Sequence, residues 1–582
     1  MLDSIPIPLR SILWPLAGAV LILAFGRFLP NWVRRLLAVA ASLASLTGLW
    51  SLRAGPLERV EVVWEPLHFF RMSPALNPDG LSLLLGVVLA GVTAALVLGI
   101  RAREPQKTVW HGLMLVGLAG CLIATLAENL LALALGSALV DLTLIAVVIW
   151  TANGAEPAQR MPLSVTVPGI ASTIVLFLAA LKMDTDVGHA SLLSPNLNEG
   201  ALILVGVAGV LRSLVFPLHP RELNTPEGAA SLLLPVGVGG YLLARSQSLL
   251  PVLSGQPWTM ALAEFALLAG GLLAWSSHRT VPDGKRHRLM LGKFWSGTLA
   301  HQTAAVLGFA LLLVDLTPWP LIGLMLALGI LVIWWDGSLE EDKAAGSGRS
   351  AWIQRWMGSW LDKARSSASA RVPVLQRFRD SWLGRNARAL APAIALGSLA
   401  GLPLTVGARG RWYLYAAWLE NGDSLILVGL AADTFLAVGL WIALALCSKQ
   451  ARDHRMGATT LLATLVLVIP LLVWGIVPGA VGDGFGLESA KPVGVSIWGL
   501  GLLYLLPWLL GVWLARMTSR LQGTLDRVYD AVNLDWLFRT AGWVGQRLVG
   551  GVNWIGKVGE GEGWWGWVLI ILAIGIVLLG IR

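Results

Sequence analysis

Arg212 and Arg411 each interrupt a long apolar run, the first in GVLRSLVFPLHP and the second in SLAGLPLTVGARGRW. A cation at the middle of a bilayer costs about 3 kcal/mol on insertion scales. Chains keep such a residue where it faces a hydrated cavity or an ion path, or where a carboxylate pairs with it. Asp141, in the run ENLLALALGSALVDL, is a candidate counter-ion for Arg212, the alternative being a carboxylate that faces a hydrated pocket. His219, beside the first interruption, is placed for contact with water. His301, in AHQTAAVLGF, suits either a hydrogen-bonded interior imidazole or a relay member. These five residues are the candidates for an ion path or for buried structural charge. Arginine stays protonated in proteins, so Arg212 and Arg411 can hold charge, bind an anion or pair with a carboxylate. They cannot gain and lose a proton near neutral pH, as a lysine lowered by burial can.

The elements that must position these residues are membrane spans. The chain has 582 residues, of which 56% are hydrophobic and only 13% charged, and its mean hydropathy is +0.71. A soluble domain carries about twice that share of charge. Apolar runs of about 20 residues, the length of a span, recur along the chain. They number about sixteen, near 11–29, 35–52, 80–100, 110–127, 129–151, 164–182, 199–220, 228–250, 258–276, 294–314, 319–335, 388–420, 422–446, 458–478, 495–515 and 564–581. The two that contain the arginines are broken by proline and glycine. Paired broken helices in two halves of a membrane chain point to a transporter-type midplane site. The fold class predicted is an all-α polytopic membrane protein.

Charge orients the spans. Arg34 and Arg35, Arg101 to Lys107, Arg279 to Lys293, Arg349 to Arg388, Lys449 to Arg455 and Arg516 to Arg527 fall on one side. The intervening loops are short or acidic, with Glu58, Glu61, Glu65, Asp184, Asp186, Glu199, Asp483 and Glu488. The positive-inside rule then predicts cytoplasmic basic loops and an external N-terminus, in the inner (plasma) membrane. An even number of spans puts Arg582 outside as well. The stretch 11–28 reads as a first span rather than a cleavable signal, being too long for an h-region. The 29 tryptophans suit interfacial belts.

Two segments break the pattern. Residues 336–388 form a cytoplasmic loop in which Trp352, Trp356 and Trp360 recur every four residues, as on an interfacial amphipathic helix. Residues 517–560 are also amphipathic, suited to lying along the membrane or packing on a neighbouring subunit. The predicted organisation is N-terminal spans over 1–108, a first half over 109–250, a second half over 251–450 and C-terminal spans over 451–582.

Other chemistries find no support. Cys121 and Cys447, the only cysteines, lie in separate apolar runs, and no two of the eight histidines have metal spacing. There is no P-loop and no nucleotide-binding GxGxxG, and the glycines of GEGEGWWG at 559–566 precede a span and read as a turn. No cofactor, no metal and no catalytic residue is expected. The net charge of +9 is distributed by side and does not imply nucleic acid. The expected partners are the lipid bilayer and other membrane subunits.

Several stretches together resemble the antiporter-like membrane subunits of respiratory complex I, shared with Mrp cation/proton antiporters and membrane-bound hydrogenases. AHQTAAVLGF at 300–309 is similar to that family's AYSTISQLGY-type helix. SLAGLPLTVGARGRW at 398–412 resembles the SLAGLPPLSGFxxK segment, and RSLVFPLHP at 212–220 resembles KSAQxPLHxWL. ENLLALALGSALVDL at 128–142 is similar to the DLLxxYxxWExxxL helix, and LDRVYDAVNLDWLF with EGEGWWGW resembles the C-terminal end of the largest such subunit.

The resemblance implies two inverted five-helix repeats, each with a broken helix, and proton transfer along buried Glu and Lys. This chain departs from that pattern at the switching positions. The family glutamate falls on Ser137, with Asp141 one turn later. The two broken-helix lysines fall on Arg212 and Arg411, and SLLLPVG and LIGLMLALGIL carry no titrating residue. A degenerate proton path without a continuous set of titratable partners is therefore expected, in a subunit that is partly a scaffold of a complex I-like, NADH-quinone oxidoreductase- or hydrogenase-like assembly. The alternatives are a subunit of an Mrp-type antiporter and one of a membrane inorganic-carbon uptake complex.

Overall fold

A computed structural model describes residues 5–53, 59–61, 73–100, 107–152, 165–184, 199–215, 218–220, 223, 225–246, 257–276, 286–311, 318–346, 382–420, 425–451, 458–477, 485, 497–518 and 520–532. The predicted span 564–581, the tryptophan repeat of 352–360, the turn at 559–566 and most of 517–560 lie outside them.

The described chain is helical almost throughout. α1 (Ile7–Phe25) and α2 (Asn31–Leu52) are followed by α3 (Gly80–Gly99), α4 (Lys107–Thr125), α5 (Leu130–Ala152), α6 (Thr166–Asp184), α7 (Glu199–Arg212) and α8 (Pro226–Arg245). Then come α9 (Pro257–Ser276), α10 (Arg286–Leu311), α11 (Pro318–Gly346), α12 (Trp382–Leu399), α13 (Val406–Glu420), α14 (Leu425–Ala451), α15 (Ala458–Ile476), α16 (Ile497–Met517) and α17 (Gln522–Val532). Among the described residues, eight helices are long and apolar enough to cross a membrane, and six shorter ones are apolar.

Local signals set the helix starts. Asp79 accepts from Ser82 N–H at 2.9 Å while Ser82 Oγ accepts from Asp79 N–H at 2.7 Å, a capping box that opens α3. Asn129 Oδ1 accepts from Ala132 N–H at the start of α5, and Thr225 Oγ1 from Gly228 N–H at the start of α8, whose first residue is proline. One feature is absent from the all-helical expectation: Val60–Glu61 pairs antiparallel with Ala75–Leu76, and Arg59 Nε donates to Glu128 at 2.5 Å beside that ribbon.

Burial is arranged for lipid. α8 and the apolar part of α11 are buried on all sides, and α3 nearly so. α11 packs against both α3 and α8 and also touches α15. The outer helices expose large apolar side chains, including Trp32 and Leu36 on α2, Leu462 and Ile469 on α15, and Leu509 on α16. A helix that shows apolar residues outward as well as inward has hydrocarbon as its solvent.

Glycines let the first two helices of each half cross backbone to backbone. A Cβ on Gly136 of α5 would lie 2.5 Å from Ala124 N of α4. In the same way, a Cβ on Gly270 of α9 would lie 2.4 Å from His301 N of α10, and one on Gly297 of α10 would lie 2.5 Å from Ala274 N of α9. Small residues are what permit such contact between helices in a membrane.

Both arginine segments break where expected, in different ways. The run 388–420 divides into α12, which already begins at Trp382, and α13. α12 ends on Gly401 at φ +84°, with Leu402 N–H donating to Gly397 O at 2.6 Å and Gly401 N–H to Ser398 O at 3.0 Å. Those two bonds make a Schellman cap. The run 199–220 has no second half-helix among its described residues: α7 stops at Arg212 and turns follow. Each break holds a leucine in the left-handed region, Leu214 at φ 55° and Leu404 at φ 71°. A branched side chain there is strained by about 1–2 kcal/mol, so the surrounding packing imposes the break.

Candidate functional site

Two buried charge clusters stand beside the two breaks. In the first, Arg212 closes α7, and its guanidinium is fully enclosed by α5 and α6. Nη2 donates to Asp141 Oδ2 at 2.8 Å, to Thr173 Oγ1 at 2.6 Å and to Gly169 O at 3.2 Å. Nη1 donates to Ser137 O at 3.4 Å, and Nε to Ser172 Oγ at 3.3 Å. Thr173 Oγ1 donates in turn to Asp141 Oδ2 at 2.5 Å. Gly169 makes room for the carboxylate, since a Cβ there would lie 2.6 Å from Asp141 Oδ1. The pair is 0% and 7% exposed at its side chains, and every nitrogen of the guanidinium is bonded. The permanently charged arginine is thus tied down at every nitrogen, while Asp141 Oδ1 and Ser137 Oγ are buried without a hydrogen-bond partner among the described residues.

The second cluster brings together residues far apart in sequence. Asp433 sits two turns into α14, and Arg411 Nη1 lies 2.9 Å from its Oδ1. Tyr415, one turn after Arg411 on α13, donates its hydroxyl to Asp433 Oδ2 at 2.5 Å. His301 of α10 places Nε2 at 3.2 Å from Asp433 Oδ1, an ion-pair distance, but off the line of a hydrogen bond. Adjacent glycines of α9 make the meeting possible. Gly270 admits the backbone of α10 at His301, and Gly271 admits α14 at Ala432, where a Cβ would lie 2.5 Å from the carbonyl oxygen.

This cluster is not saturated. Among the described residues, His301 Nδ1, Arg411 Nη2 and Tyr504 Oη are buried without a hydrogen-bond partner. Tyr504 of α16 also lines a crevice of about 580 Å3 at the second break, with Pro403, Leu404, Thr405 and Trp412. A Cβ on Gly401 would lie 2.7 Å from Tyr504 Oη and 2.8 Å from Arg411 Cδ. Tyr504 thus stands with one side in the crevice and its hydroxyl toward Arg411.

Of the five residues singled out in the sequence, Asp141 and Arg212 meet in the first cluster, and His301 and Arg411 in the second. His219 is buried within the first break and belongs to neither. Asp433, Tyr415, Thr173 and Tyr504 were not anticipated. Asp433 had a signal as plain as that of the arginines: a carboxylate inside the apolar run 422–446. Asp433 lies on a helix that the family's lysine positions do not mark, so the sequence reading did not set it beside His301.

No family model matches the sequence, and no curated protein matches it. Solved structures match in fold. The Mrp complex from Dietzia sp. DQ12-45-1b superposes with a TM-score of 0.67 at 16% identity, covering 98% of this chain and 63% of that one. The membrane-bound sulfane sulfur reductase, an archaeal respiratory membrane complex, gives 0.65 at 15% identity, covering 98% and 99%. Respiratory complex I from Thermus thermophilus with bound aureothin gives 0.54 at 16% identity, covering 81% and 98%. The chain shares its fold with chains of these three membrane complexes. It spans less than two thirds of the Dietzia chain and nearly the whole of the other two. In this shared fold both clusters flank the breaks, and both are centred on an arginine–aspartate pair.

The glycine contacts carry a prediction. Gly270→Ala forces α9 and α10 apart at His301, an overpacking cost of about 1–3 kcal/mol. A lower thermal midpoint in purified protein, alongside a near-silent Gly308→Ala, where a Cβ meets nothing within 4 Å, is the expected result.

Proposed function

We propose that the chain is a membrane-arm subunit of a complex I-like, ion-translocating assembly, with a degenerate proton path in its first half and a partly structural role. The observation that carries this reading is the combination of the antiporter-like fold over 98% of the chain with arginine at both breaks. An antiporter-like subunit that kept family-type conduction throughout would need a group that titrates at Arg212. An arginine paired with Asp141 and bonded at every guanidinium nitrogen holds the helices together there instead. Asp141 and Arg212 are accordingly structural charges, Arg411 and His301 belong to the ion path, and His219 is a water contact at the first break. The partners are other membrane subunits, and the site of action is the inner (plasma) membrane with the N-terminus outside. The likeness to the Dietzia Mrp complex, at a TM-score of 0.67, favours a cation/proton antiporter subunit as the second reading.

Purification of the native complex tests the assignment. Co-purifying quinone-reductase or hydrogenase-type subunits support the first reading, antiporter subunits support the second, and a chain that purifies alone and fully active refutes both. Topology is checked separately. Single cysteines placed in 336–388 are expected to label only from the cytoplasmic side, and those in 183–198 only from outside. Labelling of 183–198 from the cytoplasm overturns the orientation.

A further inference from the structure

We propose that His301 and Asp433 form a proton-holding pair in the second half of the chain, with Arg411 and Tyr415 as the positioning residues of its carboxylate. This deepens the ion-translocating reading and rests on it for its physiological meaning. The geometry stands on its own.

The two clusters differ in what they leave open. In the first, Arg212 is bonded at all three nitrogens, and the buried atoms without a partner among the described residues are Asp141 Oδ1 and Ser137 Oγ, neither of which carries a proton-accepting ring nitrogen. In the second cluster a fully buried imidazole lies 3.2 Å from a carboxylate oxygen, with neither ring nitrogen in a hydrogen bond. Imidazole is the side chain whose charge changes most readily near neutrality. Uptake of a proton forms one N–H bond at the ring nitrogen that lacks it. The ring becomes cationic, and a small rotation brings an N–H onto Asp433 Oδ1. Release breaks that N–H bond and returns the proton to water. The proton comes from water and goes to water, and nothing else is consumed.

Asp433 is held for this exchange. Tyr415 donates to Oδ2, and Arg411 approaches Oδ1 from the other side at 2.9 Å. Arg411 keeps its charge in both states, so the carboxylate faces one cation before uptake and two after it. Its Nη2, without a partner among the described residues, can follow a shift of the carboxylate. The groups that face His301 are few. α9 presents the backbone of Gly270, α14 presents Asp433, and Arg411 of α13 acts through its charge. The other charged residues on the helices packed against α10 are Glu264 of α9, Glu227 and Arg245 at the two ends of α8, Asp336, Glu340, Glu341, Asp342 and Lys343 toward the C-terminal end of α11, and Lys449 near the C-terminal end of α14. Arg286, His287, Arg288 and Lys293 lie toward the N-terminal end of α10 itself, and the charged groups beside His301 among the described residues are Asp433 and Arg411.

The test uses the assembled complex labelled with 15N-histidine. One imidazole resonance is expected to titrate between about pH 5 and 9. It should vanish in His301→Gln and move by about one pH unit or more in Asp433→Asn. Proton flux per assembled complex in proteoliposomes should fall about tenfold or more in His301→Gln. A His301 resonance that keeps one charge state across that range overturns the pair, and so does unchanged flux in an assembled His301→Gln complex. If His301→Gln fails to assemble, the comparison of wild type with Asp433→Asn still decides, because both retain the imidazole. A titrating, Asp433-dependent His301 in a complex that moves no protons sustains the pair and refutes the ion-translocating reading.

Discussion

Asp141→Asn is expected to remove most of the folded protein from the membrane, and Arg212→Gln on top of it to restore a large part. Arg212 is 0% exposed at its side chain, and Asp141 Oδ2 is its only charged partner among the described residues, at 2.8 Å. Breaking a buried pair on one side leaves an uncompensated charge, which costs about 3–5 kcal/mol. Stabilities of about 5–15 kcal/mol leave little margin against a loss of that size. Removing both charges leaves the surrounding hydroxyls and carbonyls to bond the two amides, and the cost falls. Folded yield and thermal midpoint of wild type, both single variants and the double variant close a thermodynamic cycle. A double variant as poor as the sum of the singles would show that the pair is not coupled.

The pairing of Asp141 with Arg212 was within reach of the sequence because both residues violate the same rule, charge inside a span, and both lie in the first half of the chain. The breaks were legible for a similar local reason: Gly401 and Pro403 cannot continue a helix, and Pro217 and Pro220 follow Arg212. The second cluster was legible only in part. His301, Arg411 and Asp433 lie on three helices, and their meeting depends on the close approach of α9 to both α10 and α14. Sequence shows that Gly270 and Gly271 are small. It does not show which helices use the space. The short ribbon at Val60–Glu61 and Ala75–Leu76 was missed because two-residue strands leave no alternation to read. A second half-helix after Arg212, suggested by a proline pattern that resembles that of the second break, is not found among the described residues.

If the first cluster is a brace and the second holds a proton, paired charge removal must separate them. Asp141→Asn/Arg212→Gln and Asp433→Asn/Arg411→Gln each delete one buried cation and one buried anion. Each therefore avoids the orphaned charge that makes single variants hard to interpret. The first double variant is expected to keep at least about half of the wild-type proton flux per assembled complex, since an arginine that never deprotonates contributes no transfer step. The second is expected to lose about tenfold or more, the low end of what a positioned acid–base group contributes, because His301 would retain no carboxylate to stabilise its charged form. Flux in proteoliposomes, normalised to the complex that assembles, is the measurement. Loss of flux in the first double variant means that the α5–α7 cluster conducts, and the brace assignment fails. Retention of flux in both means that ions cross elsewhere in the assembly and that this chain serves as its scaffold. Only the asymmetric result fits a chain in which every guanidinium nitrogen of Arg212 is bonded while, among the described residues, Arg411 Nη2, Tyr504 Oη and the His301 ring keep polar atoms without a partner.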